Sequence, residues 1–156
     1  MQVTRRDTLK AGAAATLLAA TGSAASVRAA EADWNKNAFE AKTVADVLKA
    51  LGGGSVEKSS AVVLTAPDIA ENGAVVPVAV SANILGADQI AILVDKNPNI
   101  LSGEFTLPAG TEAFVSTRVK MAQTSNVQAW VRAGGKWYAA SKEVKVTIGG
   151  CGGCGG

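Results

Sequence analysis

The spacing of apolar residues changes once along this chain, near Lys58, from a helical period to a strand period. Upstream, Val44, Val47, Leu48 and Leu51 follow i, i+3, i+4, i+7 spacing and form one stripe of an α-helix. Thr43-Val44-Ala45-Asp46 supplies a capping box for its start, with Asp in place of the usual Glu. Gly52-Gly53-Gly54 ends it, because glycine accepts the positive φ that a C-cap demands.

Downstream, apolar runs recur at Ala61–Thr65, Val75–Ser81, Gln89–Val94, Leu101–Leu107, Ala113–Met121, Val127–Ala133 and Lys136–Ile148. Turn-forming residues separate most of them: Pro67-Asp68, Glu71-Asn72-Gly73, Gly86-Ala87-Asp88, Asn97-Pro98-Asn99, Pro108-Ala109-Gly110 and Gly134-Gly135. Alternation is clean where Phe114, Ser116, Arg118 and Lys120 face Val115, Thr117, Val119 and Met121. Short strands punctuated this often predict a mainly β protein, an antiparallel β-sandwich behind a short N-terminal helical segment. Gly134-Gly135 predicts a tight hairpin. No helical stretch separates the strands, which argues against parallel βαβ units. Trp130, Trp137, Tyr138, Phe105 and Phe114 lie in or beside strands and are expected in the core, where large rings supply most of the buried area.

The first residues follow a different logic. Thr4-Arg5-Arg6-Asp7-Thr8-Leu9-Lys10 has the form of a twin-arginine export signal, and Ala11 to Ala20 is an apolar stretch too short to span a bilayer. Val27-Arg28-Ala29 suits cleavage after Ala29, and Ser23-Ala24-Ala25 offers an earlier site. The expected organisation is a cleaved signal over 1–29, a sandwich over 30–148 and a C-terminal segment over 149–156, with the mature protein exported folded to the periplasm. Losing the signal changes the charge. The whole chain carries 15 basic and 13 acidic residues, but Arg5, Arg6, Lys10 and Arg28 go with the signal against Asp7 alone. No basic excess then remains to favour nucleic acid or an anionic membrane.

The composition excludes much catalysis. There is no histidine, hence no Ser-His or Cys-His nucleophile and no histidine-ligated metal. P-loop and dinucleotide fingerprints are lacking, so no cofactor is expected. Glu40 and Asp46 are the sort of carboxylates that could pair as acid and base, yet scattered surface acids account for them better, since such work needs burial and proximity.

What remains is the C-terminus. Gly149-Gly150-Cys151-Gly152-Gly153-Cys154-Gly155-Gly156 holds the only two cysteines of the chain. Glycine loses more conformational freedom on ordering than any other residue, so this segment is expected to act as a mobile arm with accessible thiols. One CxxC pair without histidine cannot close a four-ligand zinc site. Nor does a glycine run offer the helix N-terminus that tunes a thioredoxin-type pair. A disulfide here would close too small a loop at a free end to stabilise the fold. A thiol presented to other proteins fits best, as a covalent carrier. A periplasmic dithiol redox or metal-relay protein using both cysteines is the alternative.

The terminal Gly-Gly-Cys-Gly-Gly after Val144-Lys145-Val146-Thr147-Ile148, the twin-arginine signal, the early helix and the stretch from Ala66-Pro67-Asp68 to Val76-Pro77-Val78 together resemble the SoxY family. These are the sulfur-carrying subunits of the periplasmic thiosulfate-oxidising Sox system. The resemblance implies a substrate carrier rather than an enzyme, an immunoglobulin-like sandwich, a co-exported SoxZ-like partner in a heterodimer, and visits by SoxAX-, SoxB- and SoxCD-like enzymes. It also implies sulfur attachment at one cysteine, whereas this chain has two. Counting from the C-terminus selects Cys154, and counting from the Val-Thr-Ile strand selects Cys151. The longer reach favours Cys154, with Cys151 the alternative.

Overall fold

Helix α1 (Lys36–Glu40) and helix α2 (Val44–Ala50) open the fold in this computed structural model, which describes residues 34–147. The expected signal with Arg5 and Arg6, the end of the last expected strand at Ile148 and the expected arm from Gly149 to Gly156 with Cys151 and Cys154 lie outside the described residues. The elements below belong to one unit that begins at Asn35.

Helix α2 follows the sequence closely. The Thr43 Oγ1 accepts from the Asp46 amide at 3.1 Å, as an N-cap should. Asp46 returns the contact by accepting from the Thr43 hydroxyl at 2.6 Å instead of reaching the backbone amide, as the longer Glu of the standard motif would. At the other end the Gly53 amide donates to the Leu48 carbonyl and that of Gly52 to Lys49, the paired bonds of a Schellman cap, with φ of 98° at Gly52. Val47 and Leu51 are buried. Helix α1 was not expected, because five residues are too few to show a periodic face. Asn35 makes it: its Oδ1 caps Ala38, and its Nδ2 donates to the Ala50 carbonyl at 2.6 Å, joining the start of one helix to the end of the other.

Nine strands follow: β1 (Val56–Lys58), β2 (Val62–Thr65), β3 (Ile69–Ala70), β4 (Val76–Ala82), β5 (Ala87–Val94), β6 (Leu101–Thr106), β7 (Phe114–Val119), β8 (Ser125–Ala133) and β9 (Lys136–Val146). The larger sheet has the order β1-β9-β8-β5-β6, with β3 added on β9, and the smaller has the order β2-β4-β7. All seven strands expected from the apolar runs are present, packed as a sandwich. The hairpin between β8 and β9 turns through Gly134 (φ 57°) and Gly135 (φ 78°), both of the sign that a two-residue type I′ turn needs.

Pairings among the long strands are antiparallel. The two short strands that the sequence did not reveal, β1 and β3, instead lie parallel to β9 at separate places on its edge. One core cluster lies between the sheets around Val76, Val78, Val80, Ile90, Ile92, Val127 and Val131. A second lies between the larger sheet and the helices, with Trp130 and Trp137 6.1 Å apart among Val47, Leu51, Leu93 and Leu101. Both tryptophans are therefore core as expected, and Tyr138 and Phe105 are partly buried against the core. Phe114 corrects the expectation. It is 53% exposed, because it shares strand parity with Ser116 and Arg118 and points away from the partner sheet.

Candidate functional site

The described chain stops at Thr147, so the site is built from the ground on which the cysteine segment stands, the end of β9. Val144 is fully buried and Val146 half-buried on the inner side, while Lys145 and Thr147 face outward. Pairing with β8 ends at Ser125 opposite Val144. One residue further, the Val146 amide would have no strand to bond, and the Thr124 Oγ1 accepts from it at 3.0 Å.

The opposite edge is held by β3. The Lys145 amide donates to the Asp68 carbonyl at 2.9 Å and the Thr147 amide to the Ala70 carbonyl at 3.1 Å. The Thr147 hydroxyl also lies 3.4 Å from the Ala70 and Glu71 carbonyls. Lys142 reaches the same connection, its Nζ 2.5 Å from the Ala66 carbonyl and 3.0 Å from the Asp68 carboxylate.

A turn seals the inner side. Asn72 Oδ1 accepts from the Ala74 amide, and the Gly73 carbonyl accepts from Met121 at 2.7 Å. A Cβ on Gly73 would lie 2.5 Å from the Met121 carbonyl oxygen and 2.8 Å from Val146 Cγ1, so only glycine lets the turn sit this close. The Glu71-Asn72-Gly73 turn was legible in the sequence. Its contact with Val146, and the part played by Thr124, were not, because nothing local marks a partner tens of residues away.

The rest of the described surface offers little chemistry. Glu40 pairs with Lys36 at 3.6 Å and Asp46 serves the α2 cap; both are exposed and neither acts on the other. Among the described residues no group of three His, Cys, Asp or Glu could hold a metal ion. A groove of about 570 Å³ beside β1 and β9 is lined by Lys58, Ser59, Ser60, Gln128 and Ser141 among others, without a carboxylate.

One polar cluster was missed by sequence reasoning. Arg132 lies over the Trp137 ring and forms a two-pronged pair with Asp88, at 2.9 and 3.0 Å. That hydrogen bond raises the Arg132 pKa further. Glu104 accepts from the Gln89 amide, and burial pushes its carboxyl above the ordinary carboxylate value, with Arg132 pulling the other way. These groups stand on neighbouring strands of the larger sheet, β5, β6 and β8, beside Trp137 of β9. No described helix is long and apolar enough to cross a membrane.

Comparison with known proteins bears on the whole body. The family model described as "Sulfur oxidation protein SoxY" matches residues 48–151, two thirds of the chain, and ends on Cys151. The solved structure of the sulfur carrier protein SoxY from Chlorobium limicola f thiosulfatophilum is 41% identical. The match covers 65% of this chain and 93% of that one, with a TM-score of 0.60. A superoxide reductase (neelaredoxin) from Ignicoccus hospitalis shares the fold at 18% identity, covering 55% of this chain and 80% of its own, with a TM-score of 0.50. No curated protein sequence matches the chain.

Proposed function

The chain belongs to the SoxY family of sulfur oxidation proteins, and on that premise we propose that it carries sulfur covalently on a C-terminal cysteine between enzymes that oxidise it. The observation that carries this reading is the family match, which runs through the sandwich and into the glycine-cysteine segment. The chemistry agrees with it: two thiols stand in a chain with no histidine, behind a strand whose end is firmly bonded.

In the proposed cycle a SoxAX-like haem enzyme joins the sulfane sulfur of thiosulfate to the thiol. The thiol loses its proton, and the enzyme takes up the electron pair released as the S–S bond forms. A SoxB-like hydrolase then adds water to the terminal sulfone and releases sulfate, leaving a persulfide. A SoxCD-like enzyme oxidises the outer sulfur to a sulfonate, with water supplying the oxygens and the enzyme accepting the electrons. A second hydrolysis frees the thiol. An exposed thiol with an ordinary pKa near ~8.5 is only a few per cent thiolate at pH 7, so activation falls to the visiting enzymes. Twin-arginine export to the periplasm, with a SoxZ-like subunit riding out in a heterodimer, completes the proposal.

Cys154 is our choice of attachment site, on reach. Cys151 is the second reading, favoured by the family match, which ends on it. A side reaction is open to the other thiol, whose thiolate attacks the inner sulfur of a persulfide, closing an internal disulfide and releasing the outer sulfur as sulfide. Separate serine replacements test both. A carrier loses thiosulfate oxidation with one cysteine and keeps it with the other. A dithiol couple loses it with either, and that outcome, or full activity in the double replacement, would sink the proposal. Intact-mass measurement on protein from thiosulfate-grown cells should show reductant-labile additions of about 32 or about 112 Da, for one sulfur or one thiosulfate.

A further inference from the structure

The last residues of β9 are held by small elements whose contacts converge on that place. A two-residue strand contributes little to a fold by itself, yet β3 lies along Lys145 and Val146, and the carbonyls of Ala70 and of Asp68 just before it accept from the amides of Thr147 and Lys145. On the other edge a single hydroxyl, from Thr124, takes the place of a missing strand at Val146. From inside, the Gly73 turn presses on Val146 at a distance that admits no side chain. Three consecutive backbone amides, 145 to 147, are thus bonded at both edges of a strand that has outrun its antiparallel partner.

We infer that this clamp is the pivot of the carrier, and that Thr124, Thr147 and Gly73 are positioning residues that set how far the sulfur travels. The inference rests on the carrier reading. A strand end free to fray would lend length to the arm and blur the place from which the thiol searches. With the chain fixed through Thr147, Cys151 stands four residues out and Cys154 seven. Their extended reach from the pivot is then about 14 Å and about 24 Å, at ~3.3–3.6 Å per residue. A defined pivot also keeps the delivered sulfur concentrated at one radius, which matters because small misplacements cost large factors in rate.

The test is a cycle between clamp and arm length in the full chain with its partner enzymes. Thr124→Val with Thr147→Val removes the hydroxyls while keeping the shape, and Ser at both positions restores them. Amide exchange at 146 and 147 should speed up about tenfold in the Val pair, as expected for losing one hydrogen bond's worth of local protection, and recover in the Ser pair. Deleting Gly149 and Gly150 from the natural chain should slow thiosulfate turnover about tenfold, because the thiol no longer reaches the reacting position. In the Val pair the frayed strand returns the lost length, and the same deletion should cost less than about threefold, a coupling that two independent sites would not show. Equal slowing in both backgrounds, or unchanged exchange at 146 and 147, overturns the clamp while leaving the carrier reading intact. A natural chain that takes up no sulfur adduct overturns both.

Discussion

The two sheets of the sandwich use similar residues under different rules. In the larger sheet β5 is buried at its last six positions, from Gln89 to Val94, because the smaller sheet covers one face and the helices cover the other. In the smaller sheet β7 alternates, with Val119 buried and Phe114, Ser116 and Arg118 exposed. Val63, Ser81 and Phe114 sit opposite one another in a single row across its three strands, and the two apolar ones are about half exposed. An aromatic ring in a strand is thus no guide to its burial. The number of covered faces decides it.

Truncation on each sheet gives the largest contrast. Trp130→Ala, which empties the space between the larger sheet and the helices, should destabilise the isolated chain by about 3–5 kcal/mol in denaturant unfolding. Phe114→Ala should cost no more than about 0.5 kcal/mol there. A comparable loss at both positions would mean that the smaller sheet is covered as well.

A milder probe acts on the cover itself. Thr43→Ala removes the α2 cap and should lower stability by about 1 kcal/mol. Thr43→Ser should not, because it keeps the accepting oxygen. If Thr43→Ala leaves unfolding unchanged, the helices contribute little to the two-sided burial.

The smallest effect lies at Glu104, in the polar cluster with Gln89 and Arg132 on the larger sheet. Burial raises its folded-state pKa above the unfolded value, so the folded chain holds the proton more tightly. Stability should therefore fall as pH rises from the ordinary carboxylate range through the raised value, and level off above it. Glu104→Gln should flatten that part of the stability–pH curve. A natural chain that instead gains stability over this window would show that Arg132, not burial, dominates at Glu104.

Local pattern specified the local elements. The α2 cap, the glycine stop and the Gly134-Gly135 turn rest on contacts between near neighbours, and the seven main strands show a local apolar pattern although β4 and β7, or β5 and β8, pair across tens of residues; each appears where its residues stand. The glycine-cysteine segment lies outside the described residues, so its reading rests on composition alone, two thiols among six glycines. Phe114 was legible too, had its parity with Ser116 and Arg118 been given more weight than its size.

Tertiary structure alone decided what lies along β9. Val56 meets Trp137 and Ile69 meets Lys145 across more than seventy residues, in strands of three and two residues that carry no period of their own. Thr124 and Gly73 look like ordinary turn residues until Val146 arrives beside them. The sequence by itself determined a β-sandwich with a thiol segment at its end. Where that segment is held depends on hydrogen bonds between distant backbone groups, which every residue carries and no residue type announces.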